Sequence, residues 1–180
     1  TVNMTNYDTS SVALVAAASA SASAAQAALY DGPRLADVPT VIADTVLSYV
    51  SGAGKTVVTV GSYVLTRKEG FAYQVAASGA SDQHVTTAGG VKLYVLPIEG
   101  VLNTSAFSGA GIGEKFNAAI SAAKFWRQST VNTWFPDVPT IRINPGTYAL
   151  DTTLNIESIS NLHIDANGVQ ITNFSSSNTG

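Results

Sequence analysis

The sequence contains no cysteine, and charged residues are scarce. Without cysteine the chain has no disulfide bonds, no thiolate metal ligands and no cysteine nucleophile, and its redox compartment stays undetermined. Charged residues make up 12% of the 180 residues, against about 25% in an ordinary soluble domain. The net charge of -3 leaves no basic surface for phosphates, and basic residues provide most of the affinity for nucleic acids. We therefore expect no nucleic-acid partner.

Only two histidines, His84 and His163, are available for acid–base or metal chemistry. Neither lies at a typical zinc-ligand spacing from further ligands, so we expect no metal site and no cofactor. His84 belongs to the polar segment 80–84, which is typical of a loop. His163 and Asp165 are two residues apart and share one strand face. That pair is a candidate for a sugar groove, and a solvated or subunit-facing surface is the favoured alternative.

Alanine and serine dominate the first segment, where they supply most of the positions from 10 to 30. No charged residue lies between Asp8 and Asp31. Because alanine is the best helix former, we predict a helix that ends before the turn residues at 31–33. Its apolar stripe buries little area, so the helix needs copies of the chain or a partner to pack against. The stripe is a predicted oligomer or docking interface and consists of Val12, Val15, Ala18, Ala22, Ala25 and Leu29.

Two alternatives to a packed helix remain for this segment, a mobile linker and a membrane-inserted span. Five serines and a glutamine interrupt the run, whereas a span of the bilayer needs about 20 mostly apolar residues. A secretory signal would need a positive region before the apolar run, and the sequence has none there. We expect no membrane insertion.

Residues 35–98 have the pattern of a small antiparallel β module. The runs at 45–50 and 56–60 are rich in β-branched and aromatic residues and are separated by a glycine-containing turn. Apolar side chains alternate with others in residues 71–76 and 91–96, which indicates strands with one buried face. We predict four to six antiparallel strands.

Residues 99–180 combine one helix with short strands that repeat. The helix is predicted from about residue 114 to 126, with one apolar face formed by Phe116, Ile120, Ala123 and Phe125. Beyond it, one constant offset along the chain aligns four apolar pairs. The pairs are Ile141 with Leu162, Ile143 with Ile164, Tyr148 with Val169, and Leu150 with Ile171.

A repeat of about 20 residues along the chain is typical of stacked coils, in which each coil covers the apolar face of the one before. We predict the beginning of a β-solenoid that is capped by the preceding helix. Two coils leave the last strand edge open, so we expect the chain to continue or to be completed by other chains.

Two glycine motifs resemble phosphate-binding loops, but each lacks a part that the chemistry needs. Residues 54–56 end like such a loop, yet Tyr49 stands where the first glycine belongs and a strand follows instead of a helix. We predict a hairpin turn with an exposed lysine there. Residues 109–113 approach a helix, but their third glycine is one position early for a dinucleotide fingerprint. We expect a flexible lead into the helix, with Glu114 near its positive end.

Glycoside hydrolysis would need two carboxylates about 5 Å, or about 6.5–9.5 Å, apart across a groove. Asp151, Glu157 and Asp165 are the carboxylates late in the chain, and the pattern pairs none of them. We therefore assign no catalytic residue. Trp126 and Trp134 lie beside phenylalanines, and we expect them to pack the helical cap instead of binding sugars.

Four short motifs carry a family resemblance. Residues 71–76 read FAYQVA and residues 86–93 read TTAGGVKL. Residues 116–120 read FNAAI, and a strand and turn ending in PGTY at 145–148 follows. The last two look like the start of the pectate-lyase-like fold, in which a helix precedes an I-x-I-x-P-G-T-Y strand and turn. Together with the order of the segments, these motifs resemble the N-terminal part of bacteriophage tailspike and tail-fibre proteins.

The resemblance implies a mainly β protein with a helical N-terminus. Residues 1–34 would be an Ala/Ser-rich helical anchor, residues 35–98 a small β module, and residues 99–180 a capping helix with the first coils of a right-handed parallel β-helix. It also implies a homotrimer in the virion that is joined to phage tail or adaptor proteins through its N-terminus. Host surface polysaccharide would bind to later regions.

We therefore expect a structural virion component that anchors a receptor-binding part to the phage tail. The alternative is a polysaccharide depolymerase, either a glycoside hydrolase or a lyase, or a glycan-binding receptor protein acting through the β-helix. No catalytic residue of the family can be carried over to a position of this sequence. These 180 residues are therefore not expected to be an enzyme by themselves, although a longer polypeptide containing them would be a candidate depolymerase.

Overall fold

The computed structural model describes residues 32–128 and 138–172. Twelve short strands occur in these described residues, so the protein is mainly β, as the sequence predicts. The predicted N-terminal helix lies outside the described residues. The same holds for all six residues of its stripe, which are Val12, Val15, Ala18, Ala22, Ala25 and Leu29.

Five strands form the largest sheet, in the order β1, β4, β5, β7, β6. β1 pairs with β4 in parallel, and the other neighbours are antiparallel, which agrees with most of the predicted module. Val64, Tyr73 and Val95 face one another across three strands and are fully buried. The strands are β1 (Arg34–Leu35), β4 (Tyr63–Thr66), β5 (Ala72–Val75), β6 (Val85–Thr86) and β7 (Lys92–Val95).

Strands β2 (Leu47–Ser48) and β3 (Thr56–Val57) form a separate pair, and they run parallel. The predicted hairpin of two longer antiparallel strands is therefore wrong. The Tyr49 hydroxyl donates to the Ala76 carbonyl at 3.0 Å and accepts from the Lys92 N–H at 2.8 Å. This tyrosine ties the chain to the main sheet just after β2, where a hairpin would instead begin to turn back.

Helix α1 (Val38–Ala43) is not predicted by the pattern above, which assigns this stretch to the β module. Asp37 is its N-cap, with Oδ1 accepting from the Thr40 N–H at 3.0 Å. Two residues of the helix itself, Val38 and Val41, are buried. The signal is present in the sequence, because Asp37 followed by Pro39 is a typical helix start.

Helix α2 (Ile112–Gln128) extends the predicted helix by two residues at each end. Phe116, Ile120 and Ala123 are buried on its inner face, as predicted. The Trp126 indole N–H donates to the Val95 carbonyl at 2.8 Å, which ties the helix to β7. The helix and the main sheet therefore share one apolar core.

The remaining strands pair in parallel, in two small sheets. β8 (Val101–Asn103), β9 (Thr140–Arg142) and β11 (Ile164–Asp165) form one sheet in the order β11, β9, β8. β10 (Gly146–Ala149) and β12 (Val169–Thr172) form the other. Helix α2 contacts β8, β9 and the 3-10 helix Thr104–Ala106 that follows β8.

Two of these parallel pairs, β9–β11 and β10–β12, share one step of 23 residues along the chain, because Ile141 pairs with Ile164 and Tyr148 pairs with Ile171. The pair β8–β9 has a longer step, since helix α2 lies between its two strands. The predicted alignment of Ile141 with Leu162 and of Tyr148 with Val169 is therefore wrong by two. Side chains alternate along a strand, so a shift of two keeps the same residues facing inward, and the apolar pattern fits both registers. Three residues separate β9 from β10 and also β11 from β12, which gives both sheets the same step.

Candidate functional site

The glycine motif at 109–113 continues into the first turn of α2. A carboxylate of the same chain binds the backbone N–H groups of this turn. Asp151 Oδ1 accepts from the Gly113 N–H at 2.6 Å, and Oδ2 accepts from the Glu114 N–H at 3.4 Å. Glu114 Oε2 in turn accepts from the Ala110 N–H at 2.8 Å, close to the helix start as predicted. The N–H groups that would bind a phosphate are already paired. The motif therefore serves a contact within the chain.

The glycines of this motif make room for residues 151–155. A Cβ at Gly111 would overlap the Asp151 carboxyl, and one at Gly113 would lie 2.8 Å from the Thr152 carbonyl oxygen. Farther along the helix, Asn117 donates to the Thr153 carbonyl and accepts from the Asn155 N–H, both at 2.8 Å. The segment 151–155 is thus bound along the N-terminal half of α2.

These contacts also lower the pKa of Asp151. The hydrogen bond from the Gly113 N–H stabilises the carboxylate and holds the pKa of Asp151 below its usual value. Nothing in the sequence pattern pairs Asp151 with the helix start, since the two are 38 residues apart.

The second phosphate-like motif, residues 54–56, runs from an exposed turn into the first residue of β3. The Lys55 ammonium donates to the Thr45 carbonyl. Gly54 adopts a left-handed φ of 69°, which glycine allows at a turn. A strand follows this turn, as the sequence predicts, and the described residues here provide no helix N-terminus for a phosphate.

The outward face of the parallel strands carries the predicted His163–Asp165 pair. Both residues flank the half-buried Ile164, and His163 is exposed. Asp165 accepts from Arg142 Nε at 2.8 Å, and Arg142 holds the pKa of Asp165 below its usual value. The arginine is the register partner of Asp165 on β9. The carboxylate is therefore paired with a cation, which suits a surface contact better than acid catalysis.

The three late carboxylates lie in different surroundings. Asp151 is bound to the start of α2, Asp165 is paired with Arg142, and Glu157 is exposed. Within the described ranges, no three His, Cys, Asp or Glu residues come together in a group that would hold a metal ion. In the same part of the chain, no helix has the length and apolar character needed to cross a membrane.

His84 lies in a different environment from the polar loop that its sequence neighbours indicate. Its Nδ1 accepts from the Val95 N–H at 3.0 Å. The ring meets Phe125 edge to face at 5.0 Å between centroids, and Tyr94 and Trp126 also pack against it, at 5.4 and 6.1 Å. Burial lowers the pKa of His84 to about 4. The imidazole is therefore neutral at pH 7.

Tyr94 connects this aromatic cluster to the surface. Its ring stacks on Phe125 at 4.6 Å between centroids, and its hydroxyl donates to Asp82 Oδ1 at 2.6 Å. Burial and this carboxylate raise the pKa of Tyr94 to about 12. Trp126 is buried on the inner face of α2, whereas Trp134 lies outside the described residues.

One groove of about 420 Å³ lies between α1 and the residues that follow the 3-10 helix. Val38, Ile42 and Phe107 contribute apolar lining, and Glu69 and Lys115 add one charge of each sign. The lining resembles a shallow contact groove more than a catalytic centre, because convergent polar groups are the mark of the latter.

An exposed apolar surface lies on β2 and β3. Val46 and Val50 alternate with the buried Leu47, and Val57 is the register partner of Ser48 on that same side. Val60 follows after the end of β3. We call Val46, Val50 and Val57 the valine face; their exposure lies between 45% and 70%. Apolar patches of this kind are typical of contact surfaces.

Comparisons with protein-family models, with curated proteins and with solved structures found no match to this chain. The class of protein is therefore defined by the described residues alone. It is a mainly β chain in which two pairs of parallel strands, β9–β11 and β10–β12, share one step along the chain, and one long helix precedes them.

Proposed function

We propose that this chain is a structural virion component, the N-terminal anchoring segment of a trimeric phage tailspike or tail fibre. The observation that supports this most is the step shared by the pairs β9–β11 and β10–β12. In stacked coils each turn of the chain lies on the one before, so the strand pairs between two successive coils share one step. We interpret these pairs as the first coils of a right-handed parallel β-helix.

Helix α2 has the properties that a cap of such a β-helix needs. Its inner face buries Phe116 and Ile120 against the core, and it contacts β8 and β9 at the start of the parallel strands. Asp151 and Asn117 bind it to the segment that follows β10. A cap of this type covers strand edges and apolar side chains that would otherwise meet solvent.

The anchoring role is supported by the composition of residues 1–34. Alanine and serine are small enough to let helices approach one another closely, and the uncharged run between Asp8 and Asp31 avoids repulsion between copies. We propose that these helices associate about a threefold axis and dock on tail or adaptor proteins. The valine face adds a second uncharged surface for contacts in the assembly.

Two matched lysine substitutions test the threefold association. Positions 20 and 22 lie about 200° apart around an α-helix at about 100° per residue, and only Ala22 belongs to the predicted stripe. We expect sedimentation velocity to show a trimer for the natural chain and for Ala20→Lys, and a smaller species for Ala22→Lys. A monomeric natural chain, or equal behaviour of the two variants, would overturn the proposal.

A depolymerase is the competing function, and it has a direct assay. The chain is incubated with capsular polysaccharide and with lipopolysaccharide, and released oligosaccharides are measured by mass spectrometry. We expect none to be released, because Asp151 and Asp165 are each bound to other groups of the chain. Steady release by this chain would show that it is an enzyme and would contradict the structural role.

A further inference from the structure

His84 lies where the segment before β6, strand β7 and helix α2 meet. Its backbone N–H donates to the Leu93 carbonyl at 3.0 Å, which places the residue beside β7. Its side chain accepts from the Val95 N–H, and the Val95 carbonyl accepts from the Trp126 indole. One residue of β7 thus binds the histidine through its N–H and α2 through its carbonyl.

The hydrogen bond at Nδ1 defines which tautomer of the neutral ring is present. Because Nδ1 accepts from a backbone N–H, the neutral imidazole carries its proton on Nε2. Nε2 is buried and has no hydrogen-bond partner among the described residues. A second proton would have to bind at Nδ1. Nδ1 would then be a donor that points at another donor, the Val95 N–H, and the hydrogen bond between them would be lost.

Few charged or titratable groups face this ring. Asp82, on the same loop, is the one charged group of the described residues that acts on the His84 pKa, and it favours the protonated form. Tyr94 faces the ring from β7 and gives its hydroxyl to Asp82. Helix α2 presents Phe125 and Trp126, and the residue after the 3-10 helix is Phe107; all three are uncharged.

We propose that His84 is an acid-sensitive latch between β7 and the C-terminal half of α2. A proton added at Nδ1 ends the hydrogen bond from Val95 and puts a positive charge among aromatic rings. The part of α2 that carries Phe125 and Trp126 then loosens from the sheet. Burial makes the imidazole bind this proton about 300-fold more weakly than an ordinary histidine, since its pKa is about 4 instead of about 6.5.

The N-terminal half of α2 is attached by contacts that are less sensitive to acid. Asp151 and Asn117 hold its first turns, and the apolar contacts of Phe116 and Ile120 do not titrate. The pKa of Asp151 lies below its usual value, so this carboxylate keeps its charge to a lower pH than an ordinary aspartate does. The release is therefore confined to the C-terminal half of the helix.

NMR of the full chain tests the latch through two N–H groups, the amide of Val95 and the indole of Trp126, which donates to the Val95 carbonyl. The signals of the Trp126 indole N–H and the Val95 amide are followed from pH 7 to pH 3.5, with Trp134→Phe used to assign the indole. We expect both to shift and to exchange faster with solvent, with a common midpoint near pH 4. In His84→Gln, whose side-chain oxygen accepts a hydrogen bond but does not titrate, we expect neither change.

His163→Gln is the matched control and should keep the transition. The same transition in His84→Gln would overturn the proposal, as would a Trp126 signal that stays constant while His84 becomes protonated. If His84→Gln does not fold, the ¹³C shift of the His84 ring in the natural chain decides. Titration at an ordinary histidine pKa, about 6.5, would also overturn the latch.

Discussion

Asp151 shows how one side chain joins two distant parts of the chain. It lies two residues after the end of β10 and binds two N–H groups at the start of α2. Unpaired N–H groups at a helix start favour a negative charge, both through direct hydrogen bonds and through the helix dipole. The carboxylate therefore stabilises the helix and its position beside the parallel strands together.

Replacing Asp151 by asparagine tests this contact. We expect Asp151→Asn to lower the melting temperature at pH 7, measured by circular dichroism, whereas the matched change Glu157→Gln at an exposed site leaves it unaltered. The pKa of Asp151 is lowered in the folded state, so its stabilisation is complete above about pH 3.8 and disappears as the pH falls further. The variant and the natural chain should then converge at low pH. A constant difference at all pH values would contradict the assignment.

Gly111 provides the space that this carboxylate occupies. A Cβ at this position would overlap the Asp151 side chain, whereas a Cβ at Gly79 would meet nothing within 4 Å. We expect Gly111→Ala to reduce the free energy of unfolding by about 1–3 kcal/mol, as overpacking does, and Gly79→Ala to change it by less than about 0.5 kcal/mol. Urea unfolding measures both values. Equal effects would show that Asp151 does not need the glycine.

At the scale of elements, the parallel strands have an inner and an outer column of side chains. Leu102, Ile141 and Ile164 are register partners on the inner side. Arg142 and Asp165 are partners on the outer side, where they form an ion pair. Stacked strands are thus stabilised by apolar contacts on one face, while the other face stays available to solvent or partners.

Neighbouring substitutions on β9 separate these two faces. Ile141 is fully buried, so we expect Ile141→Ala to lower the free energy of unfolding by about 2–5 kcal/mol. Arg142→Ala removes only an exposed ion pair and should change it by no more than about 1 kcal/mol. Denaturant unfolding followed by circular dichroism compares the two. A larger loss for Arg142→Ala would contradict the inward orientation of Ile141.

At the scale of the whole molecule, acid should destabilise the fold in two separate ranges. The pKa of His84 is lowered to about 4, so between about pH 6.5 and pH 4 the unfolded chain takes up a proton that the folded chain does not. This lowers the free energy of unfolding by up to about 3 kcal/mol. Below about pH 3.8, the lowered pKa values of Asp37, Asp151 and Asp165 act in the same direction.

Urea unfolding at pH 7, 5 and 3 measures both ranges. We expect His84→Gln to remove the loss of stability between pH 7 and pH 5 and to keep the loss at pH 3, where the aspartates are responsible. His163→Gln serves as the control, because His163 is exposed and lies far along the chain from the aromatic cluster. An unchanged loss in His84→Gln between pH 7 and pH 5 would contradict the burial of this ring.

Features that depend on near neighbours in the chain could be predicted. Helix α2 differs from its prediction by two residues at each end, and β5 and β7 lie within the alternating runs at 71–76 and 91–96. In β7 the alternation also identifies the buried side chains, because side-chain direction repeats every two residues in a strand. In β5 it does so in part, since Ala72 on the opposite face is buried as well. The start of helix α1 is also visible in the sequence, since Asp37 and Pro39 are typical of the first residues of a helix.

Features that depend on distant partners could not be predicted. Pairing Ile141 with Leu162, as predicted, or with Ile164, as observed, places the same residues of β9 inward, so the apolar pattern does not distinguish the two registers. The parallel course of β2 and β3 is accompanied by a distant contact of Tyr49, whose hydroxyl meets backbone groups from another part of the chain. His84 has polar neighbours in sequence and aromatic neighbours in space.

The sequence by itself thus determined the mainly β class, the long helix before the short strands, and the absence of cysteine thiols, because composition and periodicity are local properties. Only the tertiary structure decided the register of the parallel strands, the role of Asp151 at the start of α2, and the burial of His84. Each of these depends on atoms that are far apart in the chain and meet only when the core forms, and many pairings satisfy the same local pattern.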